Sequence, residues 1–283
     1  MDLKEYIRKR EEEKIWLNMN GYENGDHSTN GELMTIKTFY NAYDLFIDIG
    51  ANVGEISNNV IKDCPKMKIM AFEPNPTLAN KLNKIYAGIN NINVFPIALA
   101  DKKGIFTFNI HKSDSTTSSM FDRSEMMPSF SSKFKKYKIS VRTIDDYCEE
   151  IIGNHKKGIF IKIDTEGAEL LVIKGAQKMI SIIDSPLFIS FEYSFAWKES
   201  NNRLKEAFHL LDKQNFSIYR ITPMGLENTP YFTVDMENYL YSNYIAIKNF
   251  DLNKLFSDKH KIATKQGYTL LYPFDKVVKN VKK

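Results

Sequence analysis

Residues 46–54 read Phe-Ile-Asp-Ile-Gly-Ala-Asn-Val-Gly, and they constrain this chain more than any other stretch. Leu45 to Ile49 form a short apolar run with one charge, Asp48, ending at a glycine. That is the pattern of a strand buried on both faces of a parallel sheet. Gly50 and Gly54 let the backbone turn tightly and approach a ligand closely. A helical pattern follows at once, from Glu55 to Lys62. Strand, glycine loop and helix in this order build a nucleotide-type pocket at the carboxyl end of a sheet strand.

A second apolar run, Lys68 to Phe72, ends in Glu73-Pro74. An acid about 20 positions beyond such a loop is placed to accept hydrogen bonds from ribose hydroxyls. The plainer alternative is a tight turn followed by a surface carboxylate. The loop is not Gly-x-Gly-x-x-Gly, because Asn52 holds the place of the second glycine. An acid near the strand end, Asp48, would repel a pyrophosphate and attract the amino group of a methionine moiety. No Gly-x-x-x-x-Gly-Lys-Ser/Thr occurs, so a P-loop is not indicated. S-adenosylmethionine (SAM) therefore fits the loop better than NAD.

Strand-like and helix-like segments alternate through the middle of the chain. Strands are expected at 44–49, 68–73, 92–98, 158–163 and 187–192, and helices at 54–62, 75–86, 168–180 and 203–214. Two further strands are expected near 216–221 and 242–248. Such alternation predicts an α/β fold, a doubly wound and mostly parallel sheet covered by helices on both faces. The chain divides into a helical N-terminal segment (1–43), a main domain (44–250) and a Lys-rich extension (251–283). Within the main domain, 104–140 reads as an insertion. Gly104 to Ile110 alternates with period two, and a polar stretch follows that is too long for a plain connection, which suggests a lid. The first helix, charged and poor in apolar residues, suits a solvated edge helix, a lid or an oligomer arm.

At 283 residues the chain can bury one sizeable core. Its formal charge of +4 comes from interspersed Lys/Arg and Asp/Glu, without the basic stripe of a nucleic-acid binder. The two cysteines, Cys64 and Cys148, form no metal pattern and read as free thiols of a reducing compartment. No apolar run approaches the roughly 20 residues needed to span a bilayer, and no secretory signal is visible, so a cytoplasmic location is expected.

Five segments together resemble the FkbM family of SAM-dependent methyltransferases. They are Asp-Ile-Gly-Ala-Asn-Val-Gly (48–54), Phe-Glu-Pro-Asn-Pro (72–76), Ala-Leu-Ala-Asp (98–101), Val-Arg-Thr-Ile-Asp-Asp-Tyr (141–147) and Ile-Lys-Ile-Asp-Thr-Glu-Gly-Ala-Glu (161–169). The resemblance covers residues 44 to 222, and Asp-Thr-Glu-Gly-Ala-Glu after an apolar strand is its most distinctive part. It implies a seven-stranded sheet with a final antiparallel strand, SAM as cofactor, and methylation of hydroxyls on sugars and natural products.

On that basis Asp48 and the Gly50–Gly54 backbone would hold the methionine part, with Asn52 near its carboxylate and Glu73 on the ribose. Asp101 would sit near the adenine amine, or be a plain turn acid. Amino-group methylases of this fold type show a Pro-Pro pair after the fourth strand; this chain has none and carries Asp164, Glu166 and Glu169 there. Acids suit a hydroxyl acceptor, because a carboxylate takes a proton or binds a divalent metal. Asp164 and Glu192, from adjacent strand ends, can clamp a magnesium-type ion or act as base and substrate anchor. Glu169 is as readily structural as functional. His111, ahead of the polar loop, is a candidate general base, or an exposed loop-edge residue. His27 reaches the site only if the N-terminal loop folds over it. Ser118 and Ser119 are candidates for the pocket mouth, and Arg142 and Lys162 for an anionic substrate unless Lys162 pairs with an acid. Tyr193 and Trp197 suit either a sugar-stacking wall or the core.

The expected activity is O-methylation of a sugar, nucleotide-sugar or glycan, by analogy with bacterial surface-polysaccharide synthesis. The rivals are another small acceptor, a SAM-binding or nucleotide-binding module without catalysis, a nicotinamide oxidoreductase and RNA methylation, the last disfavoured by the absent basic stripe.

Overall fold

The computed structural model describes residues 3–111, 118–121, 134–263 and 269–271. In chain order the first half contains α1 (Leu3–Met19), α2 (Glu32–Thr38), β1 (Leu45–Ile49), α3 (Glu55–Asp63), β2 (Lys68–Phe72), α4 (Pro76–Ile85), β3 (Ile92–Phe95), β4 (Ala98–Leu99), β5 (Gly104–His111) and β6 (Phe134–Arg142). Then come α5 (Cys148–Asn154), β7 (Ile159–Ile163), α6 (Glu169–Lys174), α7 (Gln177–Ile182), β8 (Leu187–Tyr193), α8 (Phe195–Glu199) and α9 (Leu204–Asp212). The last strands are β9 (Ser217–Thr222), β10 (Gly225–Asn228), β11 (Ser242–Lys248), β12 (Lys261–Ala263) and β13 (Thr269–Leu271).

The main sheet runs β12-β13-β10-β9-β11-β8-β7-β1-β2-β3. Its centre, β3-β2-β1-β7-β8, is parallel throughout, and β11 inserts antiparallel between β8 and β9. The chain is thus a doubly wound α/β protein. The expected seven strands form one continuous array, and β10, β13 and β12 extend it antiparallel beyond β9.

Alternation along β1 shows why the sheet is double-covered. Leu45, Ile47 and Ile49 enter one core cluster, together with Ile173 of α6, Ile180 of α7 and Leu211 of α9. Phe46 enters the opposite cluster with Ile36 of α2, Ile56 of α3 and Leu82 of α4. There Phe46, Phe160, Phe188 and Tyr43 lie ring against ring, at 5.6 Å for Phe46–Phe160 and 5.2 Å for Tyr43–Phe160. Burying a side chain of that size contributes about 1.5–3 kcal/mol. Ile36, Phe39 and Tyr43 therefore tie the end of the N-terminal segment into the main core.

Two expected elements are divided, each for a local reason. The strand expected at 92–98 breaks at Pro96, which has no N–H for the ladder. β3 stays in the main sheet, and β4 joins a second sheet ordered β4-β6-β5. The helix expected at 168–180 breaks at Gly175, where a Cβ would stand 2.0 Å from the Ala100 carbonyl oxygen. The end of β4 packs directly on this break. Most of the polar stretch expected to form a lid, 112–117 and 122–133, lies outside the described residues, as do 264–268 and 272–283 of the extension.

Candidate active site

The carboxyl ends of β1, β2, β7 and β8 open into a cavity of about 490 Å³. Its floor comes from Ile49, Gly50 and Asn52, with Phe72–Pro74, Asp164–Glu166 and Glu192. Ile97–Leu99 and Phe108, Ser118 and Met120 of the insertion close one flank, and Glu23, His27, Tyr239 and Tyr241 close another.

Gly50 follows from close approach. Its φ is +83°, and a Cβ there would stand 1.7 Å from the Asp164 carbonyl oxygen. The loops after β1 and β7 therefore lie backbone against backbone, which only glycine allows. Gly54 has a different reason. It lies outside the cavity, at φ +83° ahead of α3, and a Cβ there would meet Tyr86 at 2.5 Å and Leu82 at 2.7 Å. It serves the packing of α3 on α4.

Glu73 lines the cavity with 5% of its surface exposed. One carboxylate oxygen accepts from the Asn52 N–H and the other from the Asn75 N–H, both at 2.7 Å. These bonds aim the group and leave lone pairs for hydroxyl donors. Burial nevertheless raises its pKa to about 7, against the lowering effect of the two N–H donors.

Asp48 does not line the cavity. It is buried beneath the floor, where one oxygen accepts from Ser57 Oγ at 2.6 Å and the other lies 3.9 Å from Lys162 Nζ. Lys162 is itself buried and donates to Asp164 at 3.0 Å. Burial alone would lower its pKa, but Asp164, Glu32 and Asp48 outweigh that and raise it. Lys162 is thus an internal counter-ion that links the floor of β1 to the β7 end. Asp101 is exposed on its turn and does not reach the cavity, and Arg142 is likewise exposed. His111 closes β5 opposite Phe134, and its side chain lies outside the described residues.

The turn after β7 is built by Glu169. This buried carboxylate accepts from the Thr165 N–H at 2.7 Å, from Thr165 Oγ1 at 2.9 Å and from the Gly167 N–H at 3.1 Å. Its role is structural: it forces a tight loop in which Glu166 takes φ +56°. Ser119 of the insertion donates to the Glu166 carbonyl at 2.7 Å and braces the loop from above. The outcome is a cluster in which Asp164, Glu166 and Glu192 each offer a carboxylate oxygen within 4.8 Å of the others. Burial and the neighbouring Asp164, Glu166 and Glu169 push the Glu192 pKa well up.

Tyr193 and Trp197 belong to the core, not to a sugar-stacking wall. Both are fully buried; Tyr193 Oη pairs with Glu237, and Trp197 Nε1 donates to the Glu192 carbonyl at 2.9 Å. The aromatic surface of the cavity comes from Phe72, at the head of the 72–76 segment, and from Phe108, Phe195, Tyr239 and Tyr241, which the sequence did not assign to the site. Tyr239 and Tyr241 sit in an irregular segment before β11, where periodicity has no signal. The N-terminal loop does fold over the site, so that Glu23 and His27 line it.

The family model described as methyltransferase FkbM domain matches residues 48–218, more than half of the chain. The 2-O-methyltransferase NoeI of Sinorhizobium fredii (strain NBRC 101917 / NGR234) is 24% identical over 159 residues, 53% of this chain and 63% of that protein. The chain therefore spans less than two thirds of the length of that relative. Among solved structures, the methyltransferase FkbM of Methylobacillus flagellatus KT matches 72% of this chain and 43% of its own, at 20% identity and a TM-score of 0.40. The O-methyltransferase of Bacillus cereus in complex with SAH matches 79% of this chain and 81% of its own, at 10% identity and a TM-score of 0.39. At those scores neither structural likeness carries the argument, which rests on the matched residues. By its sequence from Asp48 to Ile218, this chain belongs to the methyltransferase FkbM domain family.

Proposed function

We propose that this chain is a SAM-dependent O-methyltransferase acting on a hydroxyl of a sugar, nucleotide-sugar or glycan. One observation carries the reading. Glu73, braced by two N–H donors, and the trio Asp164, Glu166 and Glu192 line one cavity at the carboxyl ends of a parallel sheet. In this reading Glu73 would take the ribose, and the trio would face the acceptor.

The residues fit the cofactor. The buried Glu73 carboxylate keeps lone pairs for ribose hydroxyls, and Gly50 and Asn52 bring backbone to the cavity wall. Phe72 and Ile97–Leu99 offer apolar surface suited to a planar base. When bound, SAM supplies an activated methyl group. What remains for the protein is to align the acceptor hydroxyl and to remove its proton. Among the described residues no Lys or Arg lines the cavity, so acids and His27 carry that polar work.

Asp164 and Glu192, joined by Glu166, would also hold a magnesium-type ion, since hard divalent cations take carboxylate oxygens. Such an ion would lower the acceptor's pKa. The rival reading, a SAM-binding module without catalysis, gives no reason for three carboxylates to converge.

The deciding experiment is calorimetric titration of the full chain with S-adenosylhomocysteine (SAH), with NAD as control. Micromolar binding of SAH alone is expected; preference for NAD would sink the proposal. A panel of methyl glycosides and nucleotide sugars, assayed for SAH release with and without EDTA, then tests the acceptor and the ion.

A further inference from the structure

The loop between α1 and α2 is docked across the sheet with little freedom. A Cβ on Gly21 would stand 2.3 Å from the Ile221 carbonyl oxygen, and one on Gly31 would stand 2.1 Å from that of Thr222. Tyr22 bridges to Ser242, and its ring lies 4.4 Å from the Arg220 guanidinium. Glu23 accepts from the Tyr241 N–H at 2.8 Å through its side chain, and its own N–H donates to the Tyr241 carbonyl. These anchors deliver His27 to the cavity. There its Nδ1 lies 2.5 Å from an oxygen of Glu32, a residue 3% exposed in the first turn of α2. Among the described residues this is the ring's one hydrogen bond, and the side chain keeps 27% of its surface open.

A carboxylate at Nδ1 holds the proton on that nitrogen and leaves the lone pair on Nε2. Two other candidate bases, Asp164 and Glu192, are less suited. Asp164 is paired with Lys162, and Glu192 is held toward its protonated form by burial and by three neighbouring acids. We propose that His27, oriented by Glu32, is the general base of the methyl transfer, taking the acceptor's hydroxyl proton on Nε2. This rests on the methyltransferase reading above. The acceptor oxygen bonds to the methyl carbon as the carbon–sulfur bond breaks, and that electron pair stays on sulfur. The proton moves from the acceptor oxygen to Nε2 and leaves to solvent afterwards.

The charged groups facing the ring are Glu32 on α2 and, from the β7 end, Lys162 and Asp164. The Glu32 hydrogen bond raises the His27 pKa, against burial and Lys162, and Asp164 adds to the rise. A base with a raised pKa is protonated and inactive at lower pH, so turnover should climb with pH through a midpoint above that of an ordinary histidine. The competing account makes His27 a brace, whose carbonyl accepts from the Leu33 N–H at 3.3 Å ahead of α2. A brace predicts no such pH dependence.

The test uses the full chain, 15N-labelled, in four forms: wild type, His27→Gln, His27→Ala and Glu32→Gln. Ring-nitrogen NMR reads the tautomer and midpoint of His27, and calorimetry reads SAH affinity. Turnover is followed on the methyl glycoside or nucleotide sugar that scores highest in the panel. We expect a neutral ring protonated on Nδ1, with a midpoint that falls in Glu32→Gln. His27→Gln should bind SAH within about twofold of wild type and lose about a hundredfold or more in turnover. Added imidazole should partly rescue His27→Ala. A neutral ring protonated on Nε2, a midpoint indifferent to Glu32→Gln, or a His27→Gln enzyme near wild-type turnover would each overturn the base. With no acceptor in hand, the tautomer and midpoint decide. Failure of the wild-type chain to bind SAH would instead overturn the methyltransferase reading beneath it.

Discussion

At the scale of single residues, the site is governed by the cost of burying charge. In the proposed role, Glu73 must be ionised to accept two ribose hydroxyls while both its oxygens already take backbone N–H bonds. Its pKa of about 7 places that requirement within the physiological range. SAH affinity should therefore rise with pH through about 7 and level off above it; a flat profile from pH 5.5 to 8.5 would remove the ribose role. The stability effect has the opposite sign. Because the folded-state pKa is raised above the usual carboxylate value, ionising Glu73 costs stability, and the loss accrues as pH rises from that usual value to about 7 and levels off above it. Glu73→Ala should weaken SAH binding by about 10- to 100-fold, the range for hydrogen bonds to a charged group, as read by calorimetry. Asp164→Asn should lower turnover more than SAH affinity; a pure loss of affinity would assign Asp164 to the cofactor. Glu73 was legible in the sequence because its spacing from the glycine loop carries the information. Asp48 was legible only as an acid near a strand end. Whether it faces the cavity or the underside depends on the alternation of β1 against α3, where Ser57 holds it.

At the scale of elements, the two loops that shape the cavity are joined backbone to backbone. Gly50→Ala would combine a strained positive φ with a Cβ 1.7 Å from the Asp164 carbonyl oxygen. The strain alone costs about 1–3 kcal/mol, so a lower denaturation midpoint and lost SAH binding are expected. A variant as stable as wild type would show that the loops separate freely. Glu169→Ala removes the acceptor for two backbone N–H groups and one hydroxyl. Leaving buried donors unpaired costs about 1–3 kcal/mol each at most, and circular dichroism during urea unfolding would read the loss. The sequence left Glu169 open between structure and function, because a carboxylate in a first helical turn suits both. The bonds to Thr165 and Gly167 decide for structure. The split of the expected 92–98 strand was in principle readable from Pro96, whereas the break at Gly175 was not, since it answers to β4 from a distant part of the chain.

At the scale of the whole molecule, the N-terminal segment has two parts with different prospects. α1 exposes Ile15, Trp16 and Met19 to more than half of their surface, whereas 32–43 bury Ile36, Phe39 and Tyr43 in the main core. Removing residues 1–19 should leave SAH binding and the melting temperature close to wild type. Removing residues 1–43 should give a chain that does not fold. Three such side chains contribute about 1.5–3 kcal/mol each, a sum comparable to the total stability of about 5–15 kcal/mol. Thermal melts of the two truncations would separate these outcomes, and a folded 44–283 fragment would overturn this account.

The sequence by itself determined the doubly wound sheet, the glycine loop and the acids that end β2, β7 and β8. Those features are written in local periodicity and spacing, which obey the geometry of strand and helix wherever the chain goes. Only the tertiary structure decided that His27, held by the buried Glu32, lines the cavity, that Tyr239 and Tyr241 wall it, and that Tyr193 and Trp197 do not. These placements depend on where a loop lands after the sheet has formed. The glycines at 21 and 31 permit that landing by letting backbone touch backbone, and the contact itself is between residues some 200 positions apart, such as Gly21 and Ile221.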